Sequence, residues 1–218
     1  MTLAMSSALL HRLTGMRIIL IDFISVDGVV QAPGGKDEDP DGGFRHGGWS
    51  MPFFDPETMG ADIGEVMERT DALLFGRRTW DGMAAAWPER AGDPYADQMN
   101  AIRKYVASRT LSGDEASSRW NNTTLLGGDG DAIGAIRSLR ASGGDGGMQV
   151  WGSASLARQL VENDLVDEYR FMLEPILLGG GKTIFPKDGR ARQLELVSVT
   201  QAKTGTLICA YRPATPAP

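Results

Sequence analysis

Three places in this chain set arginines, hydroxyls or glycines directly after an apolar run. They are Phe75-Gly76-Arg77-Arg78-Thr79, Val106-Ala107-Ser108-Arg109-Thr110 and Val150-Trp151-Gly152-Ser153. Arginine presents a planar fork that matches phosphate oxygens. The hydroxyls of Thr79, Ser108 and Ser153 can donate to the same oxygens. Gly76 and Gly152 would let a ligand approach the backbone closely. A helix that starts after a strand adds free N–H groups and partial positive charge. Any one of these arginines alone is better read as half of a surface ion pair. Three strand ends together describe a pocket for an anionic ligand with more than one phosphate group.

Other segments tempt toward different chemistry. Gly179-Gly180-Gly181-Lys182-Thr183 resembles the end of a phosphate-binding P-loop, but that pattern needs a glycine at the position held by Ile176. A tight glycine turn is the better reading. Asp37, Asp39 and Asp41 begin like a calcium loop, yet the twelfth position, which should be a bidentate Glu, is Gly48. No metal site is expected. His46 is a lone histidine in a glycine-rich loop with no nucleophile beside it. Asp27 is a candidate for a polar group near the substrate, with a turn residue in Asp-Gly as the equal alternative. Glu174, just before Pro175 at a strand end, would face the same cleft. Trp49 and Trp87 would wall it, or sit in the core.

The elements that must position these residues follow from periodicity. Arg17 to Val26 is a nearly continuous β-branched and aromatic run, which suits a strand buried on both faces. A long polar loop runs from Asp27 to about Phe54, and loops of that length are commonly functional. Asp55 and Pro56 open a helix that runs to about Arg69. Strands are expected at Ala72–Phe75, Lys104–Ser108, Thr123–Leu126, Met148–Trp151 and Val166–Leu173. Helices are expected at Thr79–Ala86, Tyr95–Ala101, Asp131–Arg140 and Ser153–Asn163. Gln193–Thr200 and Thr206–Arg212 form an antiparallel pair. Alternating strands and helices argue for an α/β fold with a mostly parallel sheet and antiparallel C-terminal strands.

The totals narrow the classes. The chain has 218 residues and a net charge of -6, which argues against a general nucleic-acid or membrane-surface binder. Cys209 is the one cysteine, so neither an intrachain disulfide nor a multi-thiolate zinc site can form. No apolar run of about 18 residues is present to span a membrane. The expected organisation is a disordered extension over residues 1–15, one domain over 16–212 and a loose tail over 213–218. The cytoplasm is the expected compartment.

From about Met16 to Arg212 the chain resembles the dihydrofolate-reductase-like superfamily. It is most similar to the reductase domain of bacterial bifunctional riboflavin deaminase-reductases and their stand-alone relatives. The resemblance is carried by ISVDGVV (Ile24 to Val30), LLFGRRTW (Leu73 to Trp80), KYVASRTL (Lys104 to Leu111), the long run from Val150 to Phe185, and the final strand pair. It implies a three-layer sandwich and NADPH as cofactor. On that basis Gly76, Arg77, Arg78, Thr79, Ser108 and Arg109 would grip the 2′-phosphoadenosine. Gly152, Ser153 and Ala154 would lie against the pyrophosphate, with Ser155 and Leu156 nearby and a cis peptide in the Gly152-Ser153 turn. Ser25-Val26-Asp27-Gly28 would line the nicotinamide and substrate side. A homodimer is also implied, with Leu207 and Ile208 as apolar contributors.

The chain departs from the superfamily in two ways. The single acid that dihydrofolate reductases carry on their first helix falls at Gly60, and Asp62 and Glu57 are out of register. The zinc deaminase half is not expected with one cysteine. The expected activity is therefore NADPH-dependent hydride transfer to a small polar heterocycle, pterin-like or of the riboflavin-precursor kind, with 5-amino-6-(5-phosphoribosylamino)uracil as the example. The alternative is a diverged dinucleotide-binding protein that has lost catalysis.

Overall fold

The computed structural model describes residues 15–142 and 146–215. Most of the expected extension, the end of the expected tail and part of the glycine-rich stretch after Ser142 lie outside the described residues.

β1 (Arg17–Ser25) is buried along almost its whole length. It lies between β5 (Gly147–Trp151) and β6 (Glu168–Glu174), parallel to both. β2 (Thr70–Gly76), β3 (Arg103–Ala107) and β4 (Thr123–Leu126) continue the parallel sheet beyond β5. β8 (Leu207–Pro213) and β7 (Leu194–Gln201) close the other edge, antiparallel. The sheet order is β4-β3-β2-β5-β1-β6-β8-β7. The α/β fold with a parallel centre and an antiparallel C-terminal edge is as the residue pattern predicts. Because β1 to β6 are parallel, all six carboxyl ends lie on one edge of the sheet. Ligands of open α/β sheets bind at that edge.

Side chains alternate across each strand, and the two faces carry different layers. On one face Ile18, Leu20, Leu74, Met148 and Val150 pack under α5 (Ala132–Ser142) and α6 (Ala154–Glu162) through Ile136, Leu156, Leu160 and Val161. On the other, Ile19, Ile21 and Met172 pack under α1 (Thr58–Glu68) through Met59 and Val66. Farther along that face, Leu73 and Phe75 meet α2 (Arg77–Ala86), α3 (Pro94–Ala101) and α4 (Gly113–Arg119) through Trp80, Met99 and Ala116. This is a three-layer arrangement. Burying each such Leu, Ile or Val contributes about 1.5–3 kcal/mol relative to exposure.

Two boundaries differ from expectation in ways that matter. α2 begins at Arg77 rather than Thr79, so both arginines stand in its first turn. α4 was not expected at all. Its signal is Ser112-x-x-Glu115, a capping-box pattern, and the Ser112 hydroxyl accepts the Glu115 N–H at 3.1 Å. Lys104 is buried at the start of β3. It donates to the carbonyls of Met99, Asn100 and Ile102 at 2.7–3.0 Å, satisfying the C-terminus of α3. Burial depresses its pKa to about 8.

Candidate functional site

Helix starts decide where an anion can sit. The first N–H groups of a helix lack partners unless a side chain caps them. Asp55, Asp93, Ser112 and Asp131 each accept from a backbone N–H at the start of α1, α3, α4 and α5. α2 and α6 have open starts: neither Gly76 nor Ser153, their N-caps, makes a side-chain capping bond, and the Glu57 N-cap of α1 makes none either, although Asp55 takes the Glu57 N–H. These two open starts follow β2 and β5, which are neighbours in the sheet. Each glycine backbone packs against a side chain of the other turn. A Cβ on Gly76 would stand 2.4 Å from the Ser153 hydroxyl oxygen, and one on Gly152 would stand 3.0 Å from Thr79 Oγ1. Gly152 also adopts φ +51°, which favours glycine. The glycines thus let two turns pack against each other, rather than only admitting a ligand. Thr79 Oγ1 and Ser153 Oγ are 2.9 Å apart and lock the pair. Every peptide among the described residues is trans, so the expected cis bond is absent and the positive φ of Gly152 makes the turn instead.

The arginines separate into three environments. Arg77 donates to Asp81 at 2.7 Å and Glu115 at 3.3 Å, in a network that Arg119 completes. Arg78 pairs with Asp39 and with Asp41. Lys182 joins them, 2.6 Å from Asp39 and 2.7 Å from Asp41, and the two cations hold the Asp41 pKa down to about 2. Arg109 is exposed at the end of β3 and outside these networks. Beside it Ser108 is buried, and its hydroxyl accepts the N–H groups of Thr110 and Leu111 at 3.2 and 3.1 Å. Ala154 is half-buried and Ser155 exposed at the start of α6. Leu156 points into the core.

The acidic loop therefore bridges the edge. Arg78 follows β2 and Lys182 lies beyond β6, three strand spacings away, about 14 Å. Asp39 and Asp41 join them across the carboxyl ends of β5 and β1. These carboxylates are committed to cations of the chain, which argues against the calcium reading. Lys182 is followed by irregular chain rather than a helix, in keeping with the tight glycine turn rather than a P-loop. His46 packs edge-on against Phe44, 5.6 Å between centroids. Both border a cavity of about 510 Å³ together with Gln31, Arg45 and the turn from Gly179 to Lys182.

Asp27 and Glu174 reach the same edge with opposite electrostatics. Asp27 is exposed. Its carboxylate takes the Ser25 hydroxyl at 2.6 Å, the Leu178 N–H at 3.1 Å and the Gly179 N–H at 2.7 Å. The Ser25 bond is the largest cause of its lowered pKa. Asp27 is an ionised organiser that ties the loop after β1 to the loop after β6. Glu174, paired with Ser25 in the sheet register, is fully buried. One oxygen accepts the Ser50 hydroxyl at 2.7 Å and the other has no partner. Desolvation lifts its pKa to about 7. By alternation it lies on the α1 face, the side that carries Phe23 and Trp151, whose rings stand 6.5 Å apart. Trp49 and Trp87 do not wall a cleft here: Trp49 is buried with its indole N–H on the Gln31 carbonyl at 2.7 Å, and Trp87 contacts Tyr95 and Met83.

The out-of-register acids are engaged elsewhere. Asp62 pairs with Arg170, which also binds Glu168, and Glu57 pairs with Lys203 on the surface. Sequence reasoning missed two features of this edge. One is the glycine turn Gly127 to Gly130 after β4, a fourth strand end, whose following helix is capped by Asp131. The other is Asp22, a carboxylate in the middle of an apolar strand, and that contrast was its signal.

Comparison with known proteins agrees with this architecture. The model of the family described as RibD C-terminal domain matches residues 17–208. An uncharacterized protein of Bacillus subtilis (strain 168), YyaP, is 24% identical over 212 residues, covering 92% of this chain and 97% of that protein. The diaminohydroxyphosphoribosylaminopyrimidine deaminase/5-amino-6-(5-phosphoribosylamino)uracil reductase of Thermotoga maritima superposes with a TM-score of 0.60 at 13% identity, over 92% of this chain and 57% of that one. Dihydrofolate reductase from Enterococcus faecalis, complexed with NADP(H) and RAB-propyl, superposes with a TM-score of 0.57 at 14% identity, over 93% and 100%. At these identities the two structures establish a shared dihydrofolate-reductase-like fold.

Proposed function

This chain belongs to the RibD C-terminal domain family, and from that premise we propose that it is an NADPH-dependent reductase acting on a carbonyl or imine carbon of a small polar heterocycle. The substrate class is pterin-like or of the riboflavin-precursor kind. One domain over residues 16–212 would carry the activity, in the cytoplasm. The observation that carries the reading is the pair of uncapped helix starts packed side by side, α2 after Gly76 and α6 after Ser153. Two adjacent sets of free N–H groups suit a ligand with a pyrophosphate and a further phosphate.

NADPH bound across this edge would supply the hydride. The chain's own residues do the rest. Thr79 and Ser153 hold the two turns together, and the N–H groups of Ser153, Ala154 and Ser155 would hold the pyrophosphate. Arg109 and Ser108 would hold the 2′-phosphate, with Arg77 joining them once it leaves Asp81. Asp27 fixes the substrate loops, and its ionised state makes it a poor acid. Glu174, raised to about 7, would supply the proton that the reduced substrate needs.

Calorimetric titration with NADPH, NADH and ATP tests this. Binding of NADPH, weaker binding of NADH and none of ATP is the expected order. ATP binding tighter than NADPH would end the reading. The alternative, a dinucleotide-binding protein without catalysis, is favoured by one observation: the helix position of the usual acid is Gly60, and Asp62 is committed to Arg170. Steady-state NADPH oxidation separates the two, since a pure binder shows none.

A homodimer is part of the proposal. Ile208 turns out to be buried against the α1 side, so it is not available to a partner. Exposed apolar residues at this edge of the sheet include Leu196, Val197 and Val199 on β7, and Phe185. Beside Phe185 a small hollow of about 160 Å³ is lined by Ile24, Phe171, Leu173 and Tyr211. Contiguous apolar surface of this kind commonly marks an interface. Sedimentation equilibrium at micromolar concentration should give twice the chain mass, and Val199→Lys should shift it toward one. A native mass of one chain would rule the dimer out.

A further inference from the structure

Asp22 interrupts the apolar run of β1. The register that pairs Ile21 with Trp151 sets Asp22 level with Gly152, at the turn between β5 and α6. By alternation its side chain shares a face with Leu20 and Ile24, the face that α6 covers. It is buried, and its Oδ2 has no hydrogen-bond partner. A buried carboxylate without a partner costs so much that the group keeps its proton instead.

The neighbourhood supplies no countercharge. On β6 its register partner is Phe171, with Tyr169 below on the same face. On α6 Arg158 donates through Nη2 to the Thr183 carbonyl at 2.7 Å, while its Nε is buried without a partner. Arg78 and Lys182, above the edge, are held by Asp39 and Asp41. None of these groups perturbs Asp22. Burial pushes its pKa up to about 8, and only the Gly152 N–H opposes that rise.

We propose that Asp22 is a positioning residue for the Gly152 turn: a proton-bearing carboxyl that steadies the Gly152 N–H and keeps negative charge from beneath the anionic stretch of the ligand. This rests on the NADPH reading above. The turn it supports is the one that Ser153 and Thr79 lock and that would meet the pyrophosphate. A negative charge directly beneath that turn opposes an anion in a medium where charges are weakly screened. Loss of the Asp22 proton therefore switches the site toward release.

The test is the dissociation constant for NADPH between about pH 6.5 and 9.5, in the native protein and in Asp22→Asn. Asn keeps the shape and cannot ionise. In the native protein Kd should rise by up to tenfold for each pH unit above about 8, the limit for one titrating group. In Asp22→Asn it should stay level across that range. Lys104 titrates in the same window but is present in both proteins, so the difference between the two profiles isolates Asp22. Coincident profiles, or a level profile in the native protein, overturn the inference while leaving the cofactor reading intact. Absence of NADPH binding at every pH in the native protein overturns the cofactor reading and this inference with it. If Asp22→Asn fails to fold, Asp22→Leu, which likewise cannot ionise and suits the apolar run of β1, takes its place in the comparison.

Discussion

Glu174→Gln should lower turnover by roughly 100- to 10,000-fold, the usual contribution of a positioned general acid, with NADPH affinity nearly unchanged. Glu174 and Asp22 are both buried carboxyls with an oxygen without a partner, and Glu174 is the one on the α1 face, raised to about 7. A group with a pKa near the working pH both carries its proton and gives it up readily. Glutamine preserves the bond from Ser50 but has no proton to donate. The affinity should hold because Glu174 lies on the α1 face, away from the Gly152 turn. The pH dependence has a definite sign. The protonated form donates, so the rate should be full below pH 7 and fall as pH rises through about 7. Stability gives a check that needs no substrate. The folded pKa lies above the ordinary value of 4.5, so this group's contribution is fully present below that value and is lost as pH rises toward 7. The loss is roughly 1.4 kcal/mol per pH unit in that window. Melting of Glu174→Gln should therefore lack that part of the native decline between about pH 4.5 and 7. Unchanged turnover in the variant would remove Glu174 from the mechanism.

Arg109→Ala should weaken NADPH by roughly 10- to 150-fold and leave NADH almost untouched. Hydrogen bonds to charged groups contribute about 1.5–3 kcal/mol each, and each 1.4 kcal/mol is about tenfold. Arg109 is exposed at the end of β3 and unengaged, so its removal disturbs little else. Arg77→Ala is the less clean companion. Arg77 binds Asp81 and Glu115, and its loss leaves those carboxylates to Arg119 alone. It should lower NADPH affinity less, because part of its interaction with a phosphate is offset by giving up Asp81. The preference for NADPH should shrink as salt rises, since an exposed phosphate contact is screened. Titration of both variants with both cofactors at low and high salt decides the matter. Equal losses for NADPH and NADH would assign the arginines to the fold or the pyrophosphate. No loss in a folded Arg109→Ala protein would return Arg109 to the surface and remove the 2′-phosphate argument.

What the residues determined by themselves was the sheet and its working edge. Local periodicity places β1, β4 and the C-terminal hairpin almost to the residue, because strand burial is written in alternation and apolar runs. The glycines and hydroxyls after β2, β3 and β5 mark the carboxyl edge, because parallel strands bring all such ends together. The tertiary structure decided how the charges are spent. Sequence showed Arg77 and Arg78 as a matched pair, but consecutive helix positions point about 100° apart: one faces Asp81 and Glu115, the other Asp39 and Asp41. Those partners are up to 39 residues away in the chain, and no local pattern encodes such meetings. Burial of Glu174 and Asp22 is likewise a property of what packs over them. A carboxylate reads the same in a sequence whether it is solvated like Asp27 or dry like Glu174, and only desolvation makes one an anion and the other an acid.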